Sequence, residues 1–417
     1  MTVETPRLEL ATPSLRFPRL LTRGAVARAV VHATVEGMPV RLRYPDGTEA
    51  GGGDATSPVL EVVRPDALYR RLEAHPKIGL GEAYMAGDWR AAEGTDLAVA
   101  LMPFAARMGE LVPKPLLSLR GLVDRAIPRT QRNTLEGSRN NISAHYDLSN
   151  ELFAAFLDPS MSYSSAMFDP SLPLRAQDLH EAQHRKVDAV LDAADVRSGS
   201  KVLEIGTGWG ELAIRAARRG ATVTTVTLSA EQRDLARERV AAAGLSDRVE
   251  VRLQDYREVQ GSFDAVVSVE MIEAVGEEYW ETYFRRIDDL LAPGGAVAIQ
   301  AILMEHHRLL ATRGSFGWIQ KYIFPGGLIP SLQAIRDVTR DRTSLRVERV
   351  QSFGTDYAET LRRWRVSFLE AWPQVRALGF DETFRRMWEF YLAYCEAGFA
   401  TSYLDVAQIR LTRKETR

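Results

Sequence analysis

The nine residues VLEIGTGWG, at positions 202–210, decide the fold. An apolar run typical of a buried strand contains Glu204, and Gly206, Gly208 and Gly210 then form a turn into the helical segment ELAIRAARRG. Glycines at such a turn let a ligand approach the backbone closely. A dinucleotide fingerprint has the spacing G-x-G-x-x-G, whereas here the third glycine comes one residue early and an acid precedes the first. The carboxylate of Glu204 suits a cationic ligand better than a diphosphate.

Strand and helix patterns alternate after this turn. Strand-like runs begin at positions 221, 248, 263, 296 and 405, and helical runs cover 230–244 and 279–291. This succession predicts an α/β fold with a doubly wound, mainly parallel sheet. Together with the acid-Gly-x-Gly-x-Gly turn, it resembles the Rossmann-like fold of class I methyltransferases, which implies seven strands. We expect a smaller N-terminal α+β domain at 1–100, a basic linker at 101–140, and a catalytic domain at 141–417 with a helical, aromatic lid insertion at about 303–340.

The acid-Gly-x-Gly-x-Gly pattern predicts S-adenosylmethionine as the cofactor, because this molecule is a sulfonium with an amino-acid tail. Asp255 and its neighbour Gln254 follow the third strand, where polar groups near an adenine are expected. The second strand ends in Thr227, Leu228 and Ser229, without an acid for the ribose. Either these hydroxyls and Gln232 replace that acid, or Glu231 reaches back. Asp255 and Ser229 are also good helix caps, and the two roles are compatible.

Composition narrows the function further. The chain has 417 residues, 53 basic and 55 acidic side chains, a net charge of -2 and a single cysteine. Bulk charge therefore does not favour nucleic-acid binding, and one cysteine excludes an internal disulfide and a cysteine-based zinc cluster. No apolar run reaches the roughly 20 residues of a membrane span. We expect no metal site, a cytoplasmic location, and contact with membranes only from the surface.

Basic residues cluster between positions 105 and 133. Leucines, a valine and an isoleucine recur there at three- and four-residue intervals beside Arg107, Lys114, Arg120, Arg125, Arg129 and Arg132. This pattern is typical of an amphipathic helix that lies on anionic lipid headgroups. A linker helix packed on its own protein, with solvated arginines, is the alternative.

Most of the chain after Gly79 resembles the cyclopropane-fatty-acyl-phospholipid synthases and their mycolic-acid relatives. The matching strings are HYDLSNELFAAFLDPSMSYSSAMF (145–168), VLEIGTGWGELA (202–213), SVEMIEAVG (268–276), QKYIFPGG (320–327), FGTDYAETLRRW (353–364) and FATSYLDVAQIRLTR (399–413). The resemblance adds Tyr146, Tyr163 and Ser164 to the expected cofactor contacts.

The resemblance implies methyl transfer from S-adenosylmethionine to the double bond of an unsaturated acyl chain in a phospholipid. An alkene is a weak nucleophile, and its attack on the methyl group creates a carbocation. The site must therefore be dry and lined by aromatic faces that tolerate a cation. Tyr163, Tyr322 and Phe324 are the aromatic residues whose motifs match the family.

A proton must leave after methyl transfer, and the resemblance implies a bound bicarbonate as the base. In the family it is held by a cysteine, a glutamate, a histidine, an isoleucine backbone and a tyrosine. The glutamate falls on Glu273 and the isoleucine on Ile302, whereas Ser165, Gln300 and Arg365 are assigned to the other three places. These side chains can still bind an anion. Alternatively Glu273, or the extra acid Glu270, takes the proton itself; a supporting role for Glu270 is equally open.

The altered base site favours a methylene-branched product, which a separate reductase can convert to a methyl branch. A cyclopropane is the alternative product. Ring closure to it needs base and cation held in one arrangement, and three of the five groups that would hold them are altered in this sequence. Two further hypotheses for the function are a small-molecule methyltransferase and a lipid-binding protein that has lost catalysis. The partners expected are a phospholipid membrane surface, the reductase, and a second copy of the chain in a homodimer.

Overall fold

The computed structural model describes residues 24–108 and 149–414. Tyr146 and nearly all of the basic 105–133 segment therefore lie outside the described residues. The described chain divides into two compact units. Of the described residues, the larger unit holds 149–313, Phe324–Thr360 and those from Leu404 onward. The smaller unit holds 24–108, Gly314–Ile323 and Leu361–Tyr403.

The larger unit is built on a seven-stranded sheet. Its strands are β5 (Lys201–Ile205), β6 (Thr222–Thr227), β7 (Val249–Leu253), β8 (Phe263–Val269), β9 (Leu291–Leu303), β10 (Leu345–Ser352) and β11 (Asp405–Arg413). Their order is β10-β11-β9-β8-β5-β6-β7. All pairs are parallel except those that β11 makes with β9 and β10. The predicted mainly parallel, doubly wound α/β fold is confirmed.

Helices connect and cover these strands. They span Asn150–Ala154, Leu179–Ala193, Glu211–Arg218, Ala230–Ala242, Ile272–Val275, Trp280–Leu290, His306–Thr312 and Leu332–Arg342, with 3-10 turns at Leu174–Ala176, Tyr256–Glu258 and Glu277–Tyr279. Apolar clusters lie on both faces of the sheet, which is why β5 buries consecutive apolar residues, Val202 and Leu203, rather than alternating buried with exposed ones.

The chain order creates a crevice at the middle of the sheet. From β5 the chain proceeds to β6 and β7 on one side, and then crosses to β8 on the other side of β5. In open parallel sheets, ligands bind where the strand order reverses, at the carboxyl ends of the strands. The turn after Ile205 and the turn after Val269 therefore meet at one edge of the sheet.

The smaller unit contains a four-stranded sheet of order β2-β1-β3-β4, formed by β1 (Arg41–Arg43), β2 (Glu49–Ala50), β3 (Val59–Val62) and β4 (Trp89–Ala91). Its helices are Ala25–Val35, Pro65–Ala74, Pro76–Ala86, Leu97–Ala106, Trp318–Tyr322, Trp372–Ala377 and Glu382–Ala400. The helix Gly354–Glu370 begins in the larger unit and ends in this one.

The insertion expected near 303–340 lies between β9 and β10 and contains three helices. Its middle piece, Gly314–Ile323, packs with the smaller unit. Its action as a lid and the domain boundaries near positions 100 and 140 stay predictions. Across the described ranges, no helix combines the length and apolarity that a bilayer span requires.

Candidate active site

Glu204 lies on β5, between β6 and β8. Its side chain is only 3% exposed, and one of its carboxylate oxygens, Oε2, has no hydrogen-bond partner among the described residues. Burial raises the pKa of Glu204 to about 8, against the lowering effects of the Thr225 hydroxyl and of the Lys186 charge. An unpartnered buried carboxylate oxygen is costly for a protein on its own and suits a cationic ligand.

The glycines that follow are required by the backbone. Gly206 has φ +97°, and a Cβ built there would lie 2.5 Å from Cγ of Met271. Gly208 has φ +50° with open space around the same position, and Gly210, at φ +90°, precedes helix Glu211–Arg218. The space next to Gly208 is where a ligand can approach the main chain.

The end of β6 forms a hydroxyl-rich corner. Ser229 caps helix Ala230–Ala242 by accepting the Gln232 backbone N–H at 3.2 Å. The Gln232 side chain does not complete a capping box; its Oε1 accepts the Thr227 hydroxyl at 2.9 Å. Glu231 contacts the Ser229 hydroxyl at 3.3 Å, and Leu228 is half-buried between these polar residues. Thr227 and Gln232 are therefore held together at the sheet edge.

Asp255 follows β7 and is 1% exposed. It caps the 3-10 turn Tyr256–Glu258, and its two oxygens also bind the guanidinium of Arg257 at 2.9 and 2.7 Å. The capping role expected for Asp255 is present. Gln254 donates from its side chain to the Glu258 carbonyl at 3.0 Å.

A second set of polar groups follows β8, at the same edge of the sheet. Glu270 is the first residue after this strand, and its carboxylate accepts three hydrogen bonds. The Ser165 backbone N–H and the Gln300 amide each donate to Oε1 at 2.9 Å, and the Tyr357 hydroxyl donates to Oε2 at 2.6 Å. Burial raises the pKa of Glu270, and these donors together with the Lys186 charge oppose that rise.

Glu273 lies one helical turn further on. Strand β9 continues past its last pairing with β8 at Gln300, and the N–H of Ile302 donates to Oε1 of Glu273 at 2.5 Å. The other oxygen, Oε2, is buried and has no hydrogen-bond partner within the described ranges. Burial, and then the charge of Glu270, raise the pKa of Glu273 to about 8.

A buried lysine interacts with the carboxylates of Glu204 and Glu270. Lys186, on helix Leu179–Ala193, is 2% exposed and its ammonium lies 2.5 Å from the Ser164 hydroxyl. Burial lowers the pKa of Lys186 to about 8, and the charges of Glu270, Asp158, Glu204 and Glu211 oppose this. The expected cofactor contact Ser164 is therefore fixed by a cation inside the protein.

The tyrosine at this site is Tyr357, and sequence reasoning missed it. Arg365, the residue assigned to the tyrosine place, is bound to the carboxylates of Asp96 at 2.8 Å and Glu396 at 3.0 Å, all in the smaller unit. The prediction that Arg365 substitutes for the tyrosine is not supported by these contacts. Both residues lie on helix Gly354–Glu370, and the motif FGTDYAETLRRW already contained Tyr357.

The predicted aromatic residues are distributed between the two units. Tyr163 packs edge-on against Phe153, with ring centroids 5.1 Å apart. Tyr322 belongs to the smaller unit, where its hydroxyl donates to the buried carboxylate of Glu82 at 2.7 Å. Phe324 is half-buried in the larger unit. The roles of these three side chains in lining an acyl site stay predictions.

Comparison with known proteins agrees with this geometry. A family profile described as mycolic acid cyclopropane synthetase matches residues 133–409. The chain belongs to this family. It is 52% identical to tuberculostearic acid methyltransferase UfaA1 of Mycobacterium tuberculosis, over 99% of each chain. It is 34% identical to the cyclopropane-fatty-acyl-phospholipid synthase of Escherichia coli K12, over 85% of this chain and 87% of the relative.

A solved member of the family gives the structural match. The mycolic acid cyclopropane synthase CmaA1, complexed with SAH and CTAB, superposes with a TM-score of 0.60 at 30% identity, covering 66% of this chain and 98% of that one. The protein is thus an S-adenosylmethionine-dependent methyltransferase of the mycolic acid cyclopropane synthetase family. The unpartnered oxygen of Glu204 and the open space beside Gly208 fit this cofactor.

Proposed function

We propose that the protein transfers a methyl group from S-adenosylmethionine to the double bond of an unsaturated fatty acyl chain in a phospholipid, and that the product is a methylene-branched chain. The observation that carries this proposal is the contact between the glycine turn after β5 and the segment after β8 that contains Glu270 and Glu273. Met271, between Glu270 and Glu273, packs against Gly206 of the cofactor turn. This contact supports a placement of the buried carboxylates beside the methyl group of the bound cofactor.

Residues of this chain would hold the cofactor by its charges and polar groups. We assign the amino-acid tail to Glu204 and the glycine turn, the ribose to Thr227 and Gln232, and the adenine to the region of Asp255 and Gln254. Tyr146, Tyr163, Ser164, Leu228 and Ser229 complete the proposed contacts. When bound, S-adenosylmethionine supplies an electrophilic methyl group on a positively charged sulfur.

The buried carboxylates supply the negative charge that the reaction needs. The π electrons of the alkene form a bond to the methyl carbon, while the electrons of the carbon–sulfur bond remain on sulfur. The neighbouring carbon becomes cationic, and a hydride shifts to it from the methyl-bearing carbon. Loss of a proton from the transferred methyl group then leaves a C=CH2 double bond, the methylene branch. Carboxylates in a low-dielectric site stabilise such a cation strongly.

The methylene product is favoured over a cyclopropane by the relative that matches along the whole chain. That relative is named as a tuberculostearic acid methyltransferase rather than for ring formation. Departures at Ser165 and Gln300 from the family's cysteine and histidine agree with a changed final step. A separate reductase would saturate the product.

The substrate places the protein at a membrane surface. We propose that the basic 105–133 segment contacts anionic headgroups from the cytoplasmic face while the acyl chain enters the site, and that the protein acts as a homodimer. The cationic residues of the segment support the proposed headgroup contact.

One incubation tests the proposed function. The protein is mixed with S-adenosylmethionine carrying a 13C-labelled methyl group and vesicles of oleoyl phospholipid, and the lipids are analysed by proton and carbon NMR. We expect the label in the C=CH2 carbon of a methylene branch on the acyl chain. Label in an upfield cyclopropane signal supports the alternative product, and absence of label from the acyl chains contradicts the proposal.

A further inference from the structure

Three donors from separate elements of the larger unit converge on the Glu270 carboxylate. Ser165 lies in the loop after helix Asn150–Ala154, Gln300 on β9, and Tyr357 on helix Gly354–Glu370. The two oxygens of a carboxylate offer about four lone-pair sites, and these donors occupy three of them. Such a set of a backbone N–H, an amide and a hydroxyl is an anion-binding cradle.

The cradle is held in place by further hydrogen bonds. The first turns of helix Gly354–Glu370 bind the Ser165 loop, because Thr360 accepts the Ala166 N–H at 3.2 Å and Asp356 accepts the Phe168 N–H at 2.8 Å. The orientation of the Gln300 amide follows from Gln408, its neighbour on β11. Gln408 donates to Oε1 of Gln300 at 3.2 Å, so the amide nitrogen faces Glu270.

The backbone of Glu270 is unusual for a residue with a side chain. Its φ is +51°, in the left-handed region that is unfavourable for a non-glycine residue. The conformation is fixed because the Glu270 N–H donates to the Gln300 carbonyl at 2.8 Å. Strain of this kind persists where the surrounding structure requires that particular side chain.

Bicarbonate, which family resemblance implies as the base, does not fit this set of donors. The Ser165 N–H, the Gln300 amide and the Tyr357 hydroxyl already bind Glu270, and the Ser165 hydroxyl donates to the Ala166 carbonyl at 2.9 Å. A free carboxylate anion would need the same donors and would meet the like charge of Glu270. The protein thus carries, attached to its own chain, the anion that the cradle is built to hold.

We infer that the Glu270 carboxylate is the proton acceptor of the reaction and takes the place of any exogenous carboxylate base. This inference rests on the proposed function. In the last step, a proton leaves the transferred methyl group and bonds to a lone pair on Oε2 of Glu270. The electrons of the broken C–H bond become the C=CH2 double bond of the methylene branch, and the neutral carboxyl later releases its proton to solvent.

Glu270→Gly and Glu270→Gln provide the test, with Glu281→Gln as the control on a half-buried glutamate of the same unit that is paired with Arg285. Glycine suits the positive φ and empties the cradle, whereas glutamine keeps the shape of the side chain but cannot accept the proton. General-base removal lowers rates by about 100- to 10,000-fold. In buffer depleted of carbon dioxide we expect both variants to lose at least 100-fold in rate, with SAH affinity and thermal unfolding recorded alongside.

Formate is the probe for the emptied cradle. We expect 13C-formate to bind Glu270→Gly but neither the wild type nor Glu281→Gln, and to restore its rate by about tenfold or more, since general bases act within that range. Bicarbonate should leave the wild-type rate unchanged.

Three results would overturn the inference. They are a near-normal rate for Glu270→Gln, a wild-type rate that depends on bicarbonate, and a folded Glu270→Gly protein that does not bind formate. Formate binding requires no lipid. It therefore separates failure of this inference from failure of the proposed function, in which the wild type itself labels no acyl chain.

Discussion

The ammonium of Lys186 and the hydroxyl of Ser164 are in hydrogen-bond contact in the interior of the larger unit, 2.5 Å apart. The negative charges of Asp158, Glu204, Glu211 and Glu270 favour the protonated form of Lys186. Lys186 therefore interacts both with Glu204, the proposed cofactor-binding residue, and with Glu270, the proposed base.

Substitution Lys186→Met should raise the pKa of Glu270 and Glu204, because it removes a cation that favours their ionised forms. We expect the acid limb of the kcat profile to move to higher pH by roughly one unit, and SAH affinity to fall. Rate measurements from pH 5.5 to 9 check this. Lys201→Met removes an exposed lysine at the start of β5 and should leave the profile in place. An unmoved profile in folded Lys186→Met would assign the lysine a purely structural role.

Glu204→Gln should stabilise the ligand-free protein at alkaline pH while weakening SAH binding. The folded-state pKa of Glu204 is about 8, above its ordinary value of 4.5, so the folded protein binds more protons between these values. Stability from this group is present at low pH and is lost as pH rises toward 8, at up to about 1.4 kcal/mol per pH unit. Urea unfolding at pH 5.5 and pH 8 should show a larger gain at pH 8 than at pH 5.5.

Two glycines of the cofactor turn should respond differently to alanine. Gly206→Ala places a Cβ against Met271, and we expect a loss of several kcal/mol in unfolding free energy. Gly208→Ala meets open space and should cost about 1 kcal/mol through its positive φ alone, but it should weaken SAH binding severely. Gly199→Ala, at a positive φ with open space before the start of β5, reports the backbone cost by itself. Normal SAH affinity in Gly208→Ala would place the cofactor elsewhere.

Tyr357→Phe and Arg365→Met should separate function from stability. Loss of the Tyr357 hydroxyl removes a hydrogen bond to the Glu270 carboxylate, so we expect kcat to fall about tenfold and its acid limb to move upward, with stability little changed. Arg365→Met leaves Glu396 buried without its cation and should cost about 3 to 5 kcal/mol, with an unchanged pH profile. A shifted profile in Arg365→Met would return that residue to the site. Tyr69→Phe, in the smaller unit, is the matched tyrosine control.

Charge reversal in the basic segment tests membrane docking. Arg120→Glu with Arg125→Glu should weaken sedimentation with anionic vesicles, because each basic residue contributes about 1 kcal/mol near such a surface. SAH affinity should stay the same. Sedimentation equal to that of the wild type would make the segment a linker.

The strands that bind the cofactor were predictable from sequence because they are buried on both faces. β5, β6 and β8 bury side chains on both faces, and the acid near the end of β5 with the glycines after it has a spacing that few ligand-binding motifs share. β10 is an edge strand with mostly exposed or half-buried residues, LRVERVQS, and its weak apolar pattern gave no location for the seventh strand.

The base site was only partly predictable, because its donors come from distant parts of the chain. Ser165, Gln300 and Glu270 were all named as candidates, and the structure brings them into contact. Tyr357 and Arg365 lie eight residues apart on one helix, and sequence alone did not tell which of them faces the carboxylates. Only tertiary partners decide this: Glu270 for the tyrosine, and Asp96 with Glu396 for the arginine.

Gln300 and Ile302 lie two residues apart on β9, and each donates to a different carboxylate. Their separation along the strand is about 6.6 Å, set by the repeat of the extended backbone. β9 is hydrogen-bonded to β8 and β11, so neither donor can shift without breaking a ladder. Exchanges of side chain at positions 270 and 300 would therefore change which groups carry charge and protons on an unchanged scaffold. A combinatorial library of these two positions would be a compact way to redirect the outcome of the carbocation.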